Sequence, residues 1–263
     1  MPAEKAIAIV LRVVEFSETS AVVVLFTREF GKIRGLAKGA WRPKGPFNAA
    51  LDLLSLCRIV FLRKSSGVLD LLTEARLERR FRPSGRDMAG FYAAYYVAEL
   101  LNELTDDHDP HPELFDLAEK ALSDLGSGQF VAEVVLRFEL SALHWLGHMP
   151  SLDRCVTCGE NVPDKARVAF SRAEGGVLCN QCRGKHRQVI LVSLSVIQAM
   201  RRLSTVPFDD SLKGSEIDSK TYGELRAVLN SYVCHLLGKR PKLHKYLTQI
   251  SLTCPATSEP EKG

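Results

Sequence analysis

Two Cys-x-x-Cys pairs constrain the fold of this 263-residue chain more than any other feature of its sequence. Cys155 and Cys158 form the first pair, and Cys179 and Cys182 form the second after a gap of twenty residues. Each such turn can aim two sulfurs at one ion, so the two turns together predict a closed tetrahedral site with four thiolate ligands. Because a closed site has no open position for substrate, we predict one structural Zn²⁺.

The residues between the two pairs predict a zinc ribbon inserted at 151–186. The stretch FSRAEGGVL resembles a short β-hairpin, with Gly175 and Gly176 at its turn. The alternative is a pair of redox dithiols, but neither pair has the strand-then-helix context of a thioredoxin-type motif. His186 follows Cys182 in a basic segment and, with four cysteines already present, is expected to face solvent.

A second feature is the density of positive charge in residues 25–44, LFTREFGKIRGLAKGAWRPK, where Glu29 is the single acidic residue. Cations, glycines and an aromatic ring together predict a hairpin that binds nucleic acid by phosphate contact and base stacking. The alternative is a solvated β-edge whose lysines prevent aggregation. Phe30 is a further stacking candidate, although a place in the core suits it better. The predicted DNA-binding residues are Lys32, Arg34, Lys38, Trp41, Arg42 and Lys44.

Five candidate strands occupy the first eighty residues, at 6–14, 21–27, 31–39, 53–63 and 68–77. They are rich in Val, Ile and Leu and are separated by clusters of turn-forming residues. This count fits an OB-fold barrel over residues 1–80, although an SH3-like barrel or a small sandwich has a similar pattern.

Charge is distributed unevenly between this region and the next. Residues 1–80 hold 14 Lys and Arg against 8 Asp and Glu, a net of +6, whereas residues 81–150 hold 4 against 12, a net of −8. A positive barrel beside an acidic block predicts strongly salt-dependent binding of nucleic acid. No recognition-helix motif is present, so we expect binding without sequence specificity.

The rest of the chain is predicted to be helical, giving an α+β multidomain fold: an N-terminal barrel, then an all-α domain at 81–252 carrying the ribbon. Apolar residues recur at helical spacing in 87–104, 112–125, 130–145, 194–203 and 222–237, with a last short helix at 242–250. The acidic stretch at 106–109 is expected to be a solvated interhelical loop. Residues 253–263 have no apolar pattern and are predicted to be a disordered tail.

The order of residues resembles the RecO family of bacterial recombination mediators over nearly the whole chain. The matching segments are IAIVL (7–11), Glu18-Thr19-Ser20, residues 25–44, LLSLCRIVFLR (53–63), RFELSALHWLGHMPSLDRCVTCGE (137–160), the ribbon, and LRAVLNSYVCHLLGKR (225–240). The resemblance implies an OB barrel that binds single-stranded (ss) and double-stranded (ds) DNA and anneals strands. It also implies contacts with the acidic tail of single-stranded DNA-binding protein (SSB) and with RecR, and thereby help in loading RecA.

The helical domain of such a protein is implied to hold the SSB tail. Arg137, Lys239 and Lys242 are the candidate residues, because their charge suits a terminal carboxylate and acidic side chains. The alternative for each is an ordinary ion pair. The chain departs from the family pattern here, with Pro241-Lys242-Leu243-His244 where Leu-Lys-Ser-Arg is expected, and this departure puts part of the basic patch in doubt.

The sequence predicts no enzyme, since it has no GxxxxGK[ST] loop, GxSxG elbow or HExxH pair. Free cysteines and the lack of a signal peptide predict a reducing bacterial cytoplasm, with association to the nucleoid, and no apolar run is long enough for a membrane role. Two other classes stay open: a zinc-ribbon adaptor that binds only proteins, and an OB protein that binds RNA.

Overall fold

The computed structural model describes residues 3–42, 45–47, 50–64, 69–83, 88–128, 130–162, 165–205 and 217–247. The chain is mixed α+β, with a five-stranded N-terminal sheet followed by a mainly helical part that carries a small second sheet. The predicted tail at 253–263 and the predicted DNA-binding residue Lys44 lie outside these residues. Within the described ranges, no helix combines the length and apolar character that crossing a bilayer requires.

The N-terminal strands are β1 (Ala3–Glu15), β2 (Ala21–Thr27), β3 (Gly31–Ala37), β4 (Leu56–Leu62) and β5 (Asp70–Arg79). They close into a barrel in the order β1-β2-β3-β5-β4, with β3 and β5 parallel and the other pairs antiparallel. Alternate side chains such as Val23, Leu25 and Ile33 fill the interior. All five predicted strands are present, because Val- and Ile-rich runs between turn residues suit a pleated, half-buried surface.

The helices are α1 (Met88–Leu104), α2 (Pro112–Ser127), α3 (Val131–Trp145), α4 (Leu194–Thr205), α5 (Ser219–Leu237) and α6 (His244–Leu247). Capping residues explain several of these bounds. Pro112 occupies the first turn of α2, and the Asp218 side chain accepts hydrogen bonds from the backbone N–H groups of Lys220 and Thr221 at the start of α5. Gly238, at φ +64°, ends α5 in the left-handed conformation.

The barrel packs against the helices through the outer face of β1 and β2. Ile9, Val24 and Phe26 share one buried cluster with α1, α2 and α3, and the rings of Phe26 and Phe115 lie 6.0 Å apart. The two parts therefore share a continuous apolar interface. The division of the chain into domains at residue 80 stays a prediction.

The second sheet contains β6 (Arg167–Ser171), β7 (Gly176–Leu178) and β8 (Val189–Ser193), in the order β7-β6-β8. Phe170, Val177 and Val192 pack with α3, α4 and α5 in a second buried cluster. Gly175 and Gly176 form the turn between β6 and β7, where a Cβ on Gly176 would lie 2.5 Å from the Ser151 carbonyl oxygen. This sheet therefore fastens both cysteine pairs to the helical part.

Candidate metal centre and nucleic-acid interface

The four cysteines of the predicted metal site lie together. The sulfurs of Cys155, Cys158, Cys179 and Cys182 are all within 4.8 Å of one another, and Cys158 Sγ lies 3.8 Å from Cys179 Sγ. A tetrahedron with Zn–S bonds of about 2.3 Å has edges of about 3.8 Å, so the spacing fits Zn²⁺. The group can therefore hold a metal ion.

Local backbone geometry forms the two turns that present these sulfurs. In the first turn, the Gly159 N–H donates to the Cys155 carbonyl at 2.8 Å, with Gly159 at φ +74°. In the second, the Arg183 N–H donates to the Cys179 carbonyl at 3.0 Å. Cys155 and Cys182 are buried with Ala169 and Leu178 in a cluster of their own. With so few apolar residues in that cluster, a metal cross-link is the main source of stability that the local sequence offers.

The predicted DNA-binding residues fall into two groups in the structure. Lys38, Trp41 and Arg42 lie on the exposed turn that follows β3, which we call the barrel tip (residues 38–42). The Trp41 N–H donates to the Thr19 carbonyl at 3.3 Å, which fastens this turn to the β1–β2 connection. The Trp41 side chain is 45% exposed, and neither Lys38 nor Arg42 has an ion-pair partner within the described ranges. The barrel tip therefore offers two cations and a stacking face to solvent.

Lys32 was predicted to hold phosphate, and its position requires a correction. Only 4% of this residue is exposed, and its ammonium donates to the carbonyls of Asn102, at 2.7 Å, and Thr105 at the end of α1. Burial lowers the pKa of Lys32, while the carboxylate of Asp107, 3.7 Å away, acts in the opposite direction. Because its donors already bind helix-terminal carbonyls, Lys32 joins the barrel to α1 and is not available to a phosphate.

Arg34 is exposed but engaged. Its Nε lies 2.9 Å from Asp107 Oδ2, so a phosphate has to compete with a carboxylate for this guanidinium. Arg28 is held in a similar way, since its Nε and Nη2 donate to the two carboxylate oxygens of Asp116 on α2. Phe30 packs edge-on against Phe61 at 5.4 Å beside the barrel core, as the core alternative predicts.

The acidic loop (residues 105–109) was expected to be solvated, and its position against β3 was missed. Its side chains at 106–109 are exposed, but its backbone is docked, because the His108 N–H donates to the Lys32 carbonyl at 2.8 Å. Lys32 and Asp107 also form an isolated parallel bridge. Gly31, at φ +67°, allows this approach, since a Cβ there would lie 2.0 Å from the Asp109 carbonyl oxygen. The sequence signal was the acidic run itself, whose partner lies about seventy residues away.

The comparisons with known proteins decide the family. A family model described as "Recombination protein O N terminal" matches residues 1–81, and one described as "Recombination protein O C terminal" matches residues 85–245. The chain belongs to the RecO family of DNA repair proteins. A general role in DNA repair follows from this membership.

Curated relatives agree over almost the full length. The DNA repair protein RecO of Rhodopirellula baltica is 39% identical over 265 residues, covering 91% of this chain and 97% of that protein. The RecO proteins of Myxococcus xanthus and Anaeromyxobacter sp. strain Fw109-5 are 32% and 34% identical and cover 93% and 94% of this chain, with 97% and 96% of their own lengths matched. Both the barrel and the cysteine-bearing part of the chain therefore lie within the region of similarity.

The residues predicted from the RecO resemblance to bind the SSB tail do not share one environment. Arg137 is buried in α3, where its Nη2 lies 2.7 Å from the equally buried Glu133 Oε1. A peptide carboxylate reaches this guanidinium only by displacing Glu133, so the ion-pair alternative describes Arg137. Lys239 lies 2.6 Å from Glu103 Oε2, and this hydrogen bond lowers the pKa of Glu103. The Lys242 side chain is exposed, and its backbone N–H donates to Glu99.

The departure from the family pattern at 241–244 places a histidine inside the fold. His244 is buried, and its Nδ1 accepts hydrogen bonds of 3.1 and 3.0 Å from Nε and Nη2 of Arg240. Burial, followed by the nearby cations Arg240 and Arg226, lowers the pKa of His244. A neutral His244 therefore acts as an acceptor that orients Arg240, and the basic patch at this point is reduced to Lys239 and Lys242.

Proposed function

We propose that this RecO-family protein binds ssDNA and dsDNA through its barrel and anneals complementary strands without ATP. The observation that carries the proposal is the barrel tip, where Lys38, Trp41 and Arg42 are exposed together on a rigid sheet. The strand order and the parallel β3–β5 pair agree with an OB fold, a scaffold whose surface loops bind oligonucleotides. We assign the barrel to that fold as part of the proposal.

Annealing of this kind needs no chemical step. A basic surface that holds two strands reduces their mutual repulsion and raises their local concentration, and base pairing then supplies the driving force. We therefore propose a protein without enzymatic activity that acts as a mediator in the bacterial cytoplasm and at the nucleoid. ATP hydrolysis or DNA cleavage that responded to substitutions in the purified protein would contradict this part of the proposal.

The metal in this proposal is one structural Zn²⁺ bound by Cys155, Cys158, Cys179 and Cys182. The ion supplies a closed cross-link between the two turns of the ribbon and no reactive position. We expect one zinc per chain by mass spectrometry of the metal content. Cys155→Ser should lose the metal and destabilise the ribbon by several kcal/mol. Cys57→Ser is the control, because that buried thiol lies inside the barrel, and we expect it to leave the zinc content unchanged.

The proposed partners are the SSB tail and RecR, with RecA loading as the outcome. Two cations that follow α5 and lie beside acidic residues of α1, Lys239 and Lys242, form the remaining candidate surface for an acidic tail. Lys239 has to exchange Glu103 for a carboxylate of the tail, so we expect a weak, salt-sensitive contact.

The deciding experiment measures how fast complementary strands coated with SSB anneal without ATP when this protein is added. Acceleration that disappears with tail-truncated SSB supports both the annealing activity and the tail contact. Acceleration indifferent to the truncation keeps annealing and removes Lys239 and Lys242 from the proposal. If nothing accelerates, a protein adaptor becomes the better description, and preferential binding to RNA of the same sequence selects the RNA-binding alternative.

A further inference from the structure

Three exposed cations follow the last cysteine of the ribbon within five residues. Arg183, Lys185 and Arg187 all have exposed side chains, and within the described part of the chain none of them has an ion-pair partner. We call residues 183–187 the ribbon turn. Arg28 and Arg34 on the barrel are engaged by Asp116 and Asp107, so the ribbon turn resembles the barrel tip in its uncompensated charge.

The ribbon turn is held in place by the metal-site backbone. Arg183–Lys185 form a short 3-10 helix, in which the Lys185 N–H donates to the Cys182 carbonyl at 2.9 Å. His186 fastens the turn from the other side. One ring nitrogen lies 2.9 Å from Thr157 Oγ1 and the other 3.2 Å from Glu174 Oε1, so His186 is half-buried and does not face solvent as expected from the sequence. The cations are therefore carried on a turn whose backbone is already ordered, which reduces the entropy lost on binding.

Annealing makes a demand that the barrel tip alone meets poorly. The barrel tip offers two free cations, while residues 81–150 beside the barrel carry a net charge of −8 that repels a second strand. A second phosphate-binding surface away from the acidic block removes this difficulty. Residues 151–187 hold 7 Lys and Arg against 4 Asp and Glu, which places the required positive charge on the ribbon.

We propose that Arg183, Lys185 and Arg187 form a second nucleic-acid contact, which binds phosphates of a DNA strand without sequence preference. This inference rests on the proposed function, because it assumes that the barrel tip binds DNA as well. The zinc ribbon then has a direct role in holding DNA in addition to stabilising the helical part.

The test is the dependence of DNA affinity on salt for Arg183→Gln/Lys185→Gln/Arg187→Gln, together with the annealing rate of bare strands. Each phosphate contact to ssDNA contributes about 0.7 to the slope of log K against log salt, so loss of all three should reduce the slope by about 2. Annealing should slow by more than single-strand binding does. One-for-one, Arg187→Gln is compared with Lys220→Gln, because Lys220 is exposed on α5 and uses only its backbone N–H in a hydrogen bond.

Four outcomes are distinguishable. A reduced slope with the zinc content intact supports the ribbon contact. An unchanged slope overturns it, even where an acidic protein partner depends on the same cations. Loss of zinc from the triple variant with an unchanged slope also overturns it, since the cations then only balance the thiolates. If the wild-type protein itself lacks salt-dependent DNA binding, the proposed function fails first, whereas a normal triple variant beside a defective barrel-tip variant rejects the ribbon contact alone.

Discussion

The two halves of the basic segment at 28–42 have similar sequences and different roles. At the start of β3, Lys32 is buried against the end of α1 and Arg34 is paired with Asp107. Beyond the end of β3, Lys38 and Arg42 reach solvent with Trp41 between them in sequence. The first half joins two parts of the molecule, and the second half is free to bind DNA. Charge density alone does not distinguish a cation that binds a ligand from one that stabilises the fold.

The largest effect should come from Gly31→Ala, which tests whether the first half is structural. A Cβ at Gly31 would lie 2.0 Å from the Asp109 carbonyl oxygen, and the residue is at φ +67°. We expect a loss of about 3 kcal/mol or more in the free energy of unfolding, because backbone strain and a clash with backbone act together. Chemical denaturation measures it. Gly238→Ala is the matched control, with φ +64° and no atom within 4 Å of its Cβ, and it should cost about 1 kcal/mol. Equal losses in the two variants would argue against the docked loop.

Lys32→Met should come next and should affect stability more than DNA binding. Methionine keeps the aliphatic stem but leaves the Asn102 and Thr105 carbonyls without their charged donor. We expect a loss of about 1–3 kcal/mol in unfolding free energy and a salt slope for DNA binding that stays near the wild-type value. A stable variant with a lower salt slope would return Lys32 to the DNA-binding set.

Lys38→Glu/Arg42→Glu should show the opposite pattern. Neither side chain has an ion-pair partner in the described residues, so thermal stability should be unchanged. DNA affinity should fall at least about tenfold at low salt, with a salt slope lower by about 1.4 or more for single strands. Lys220→Glu/Lys242→Glu makes the same change in net charge on exposed residues of the helical part and controls for long-range repulsion. If both pairs weaken binding equally, the barrel tip is not the site.

The smallest expected effect sharpens the boundary between the two halves. Asp107→Asn releases Arg34 from its carboxylate partner. Since exposed ion pairs contribute at most about 1 kcal/mol, we expect DNA affinity to rise only about two- to threefold. Asp106→Asn makes the same charge change one residue away, where no ion pair is present within the described residues, and should have a smaller effect. The difference between these two variants should vanish when Arg34 is replaced by Gln.

Local sequence patterns were enough for much of the architecture. All five predicted strands and all six predicted helices are present, with shifts of a few residues at their ends. Capping residues such as Pro112 and Gly238 and the turn at Gly175-Gly176 act over a few residues, so they can be recognised in the sequence. The spacing of the cysteine pairs likewise predicted a cluster that the structure brings together.

The sequence by itself therefore determined the elements, the cysteine cluster and the family of this protein, because these depend on periodicity, spacing and residue order. Only the tertiary structure decided which cations reach solvent. The acidic loop lies more than sixty residues after β3, and packing of the helices on the outer face of β1 and β2 brings it against Lys32 and Arg34. Burial and pairing depend on such long-range contacts, and the same three-dimensional placement leaves the barrel tip and the ribbon turn uncompensated.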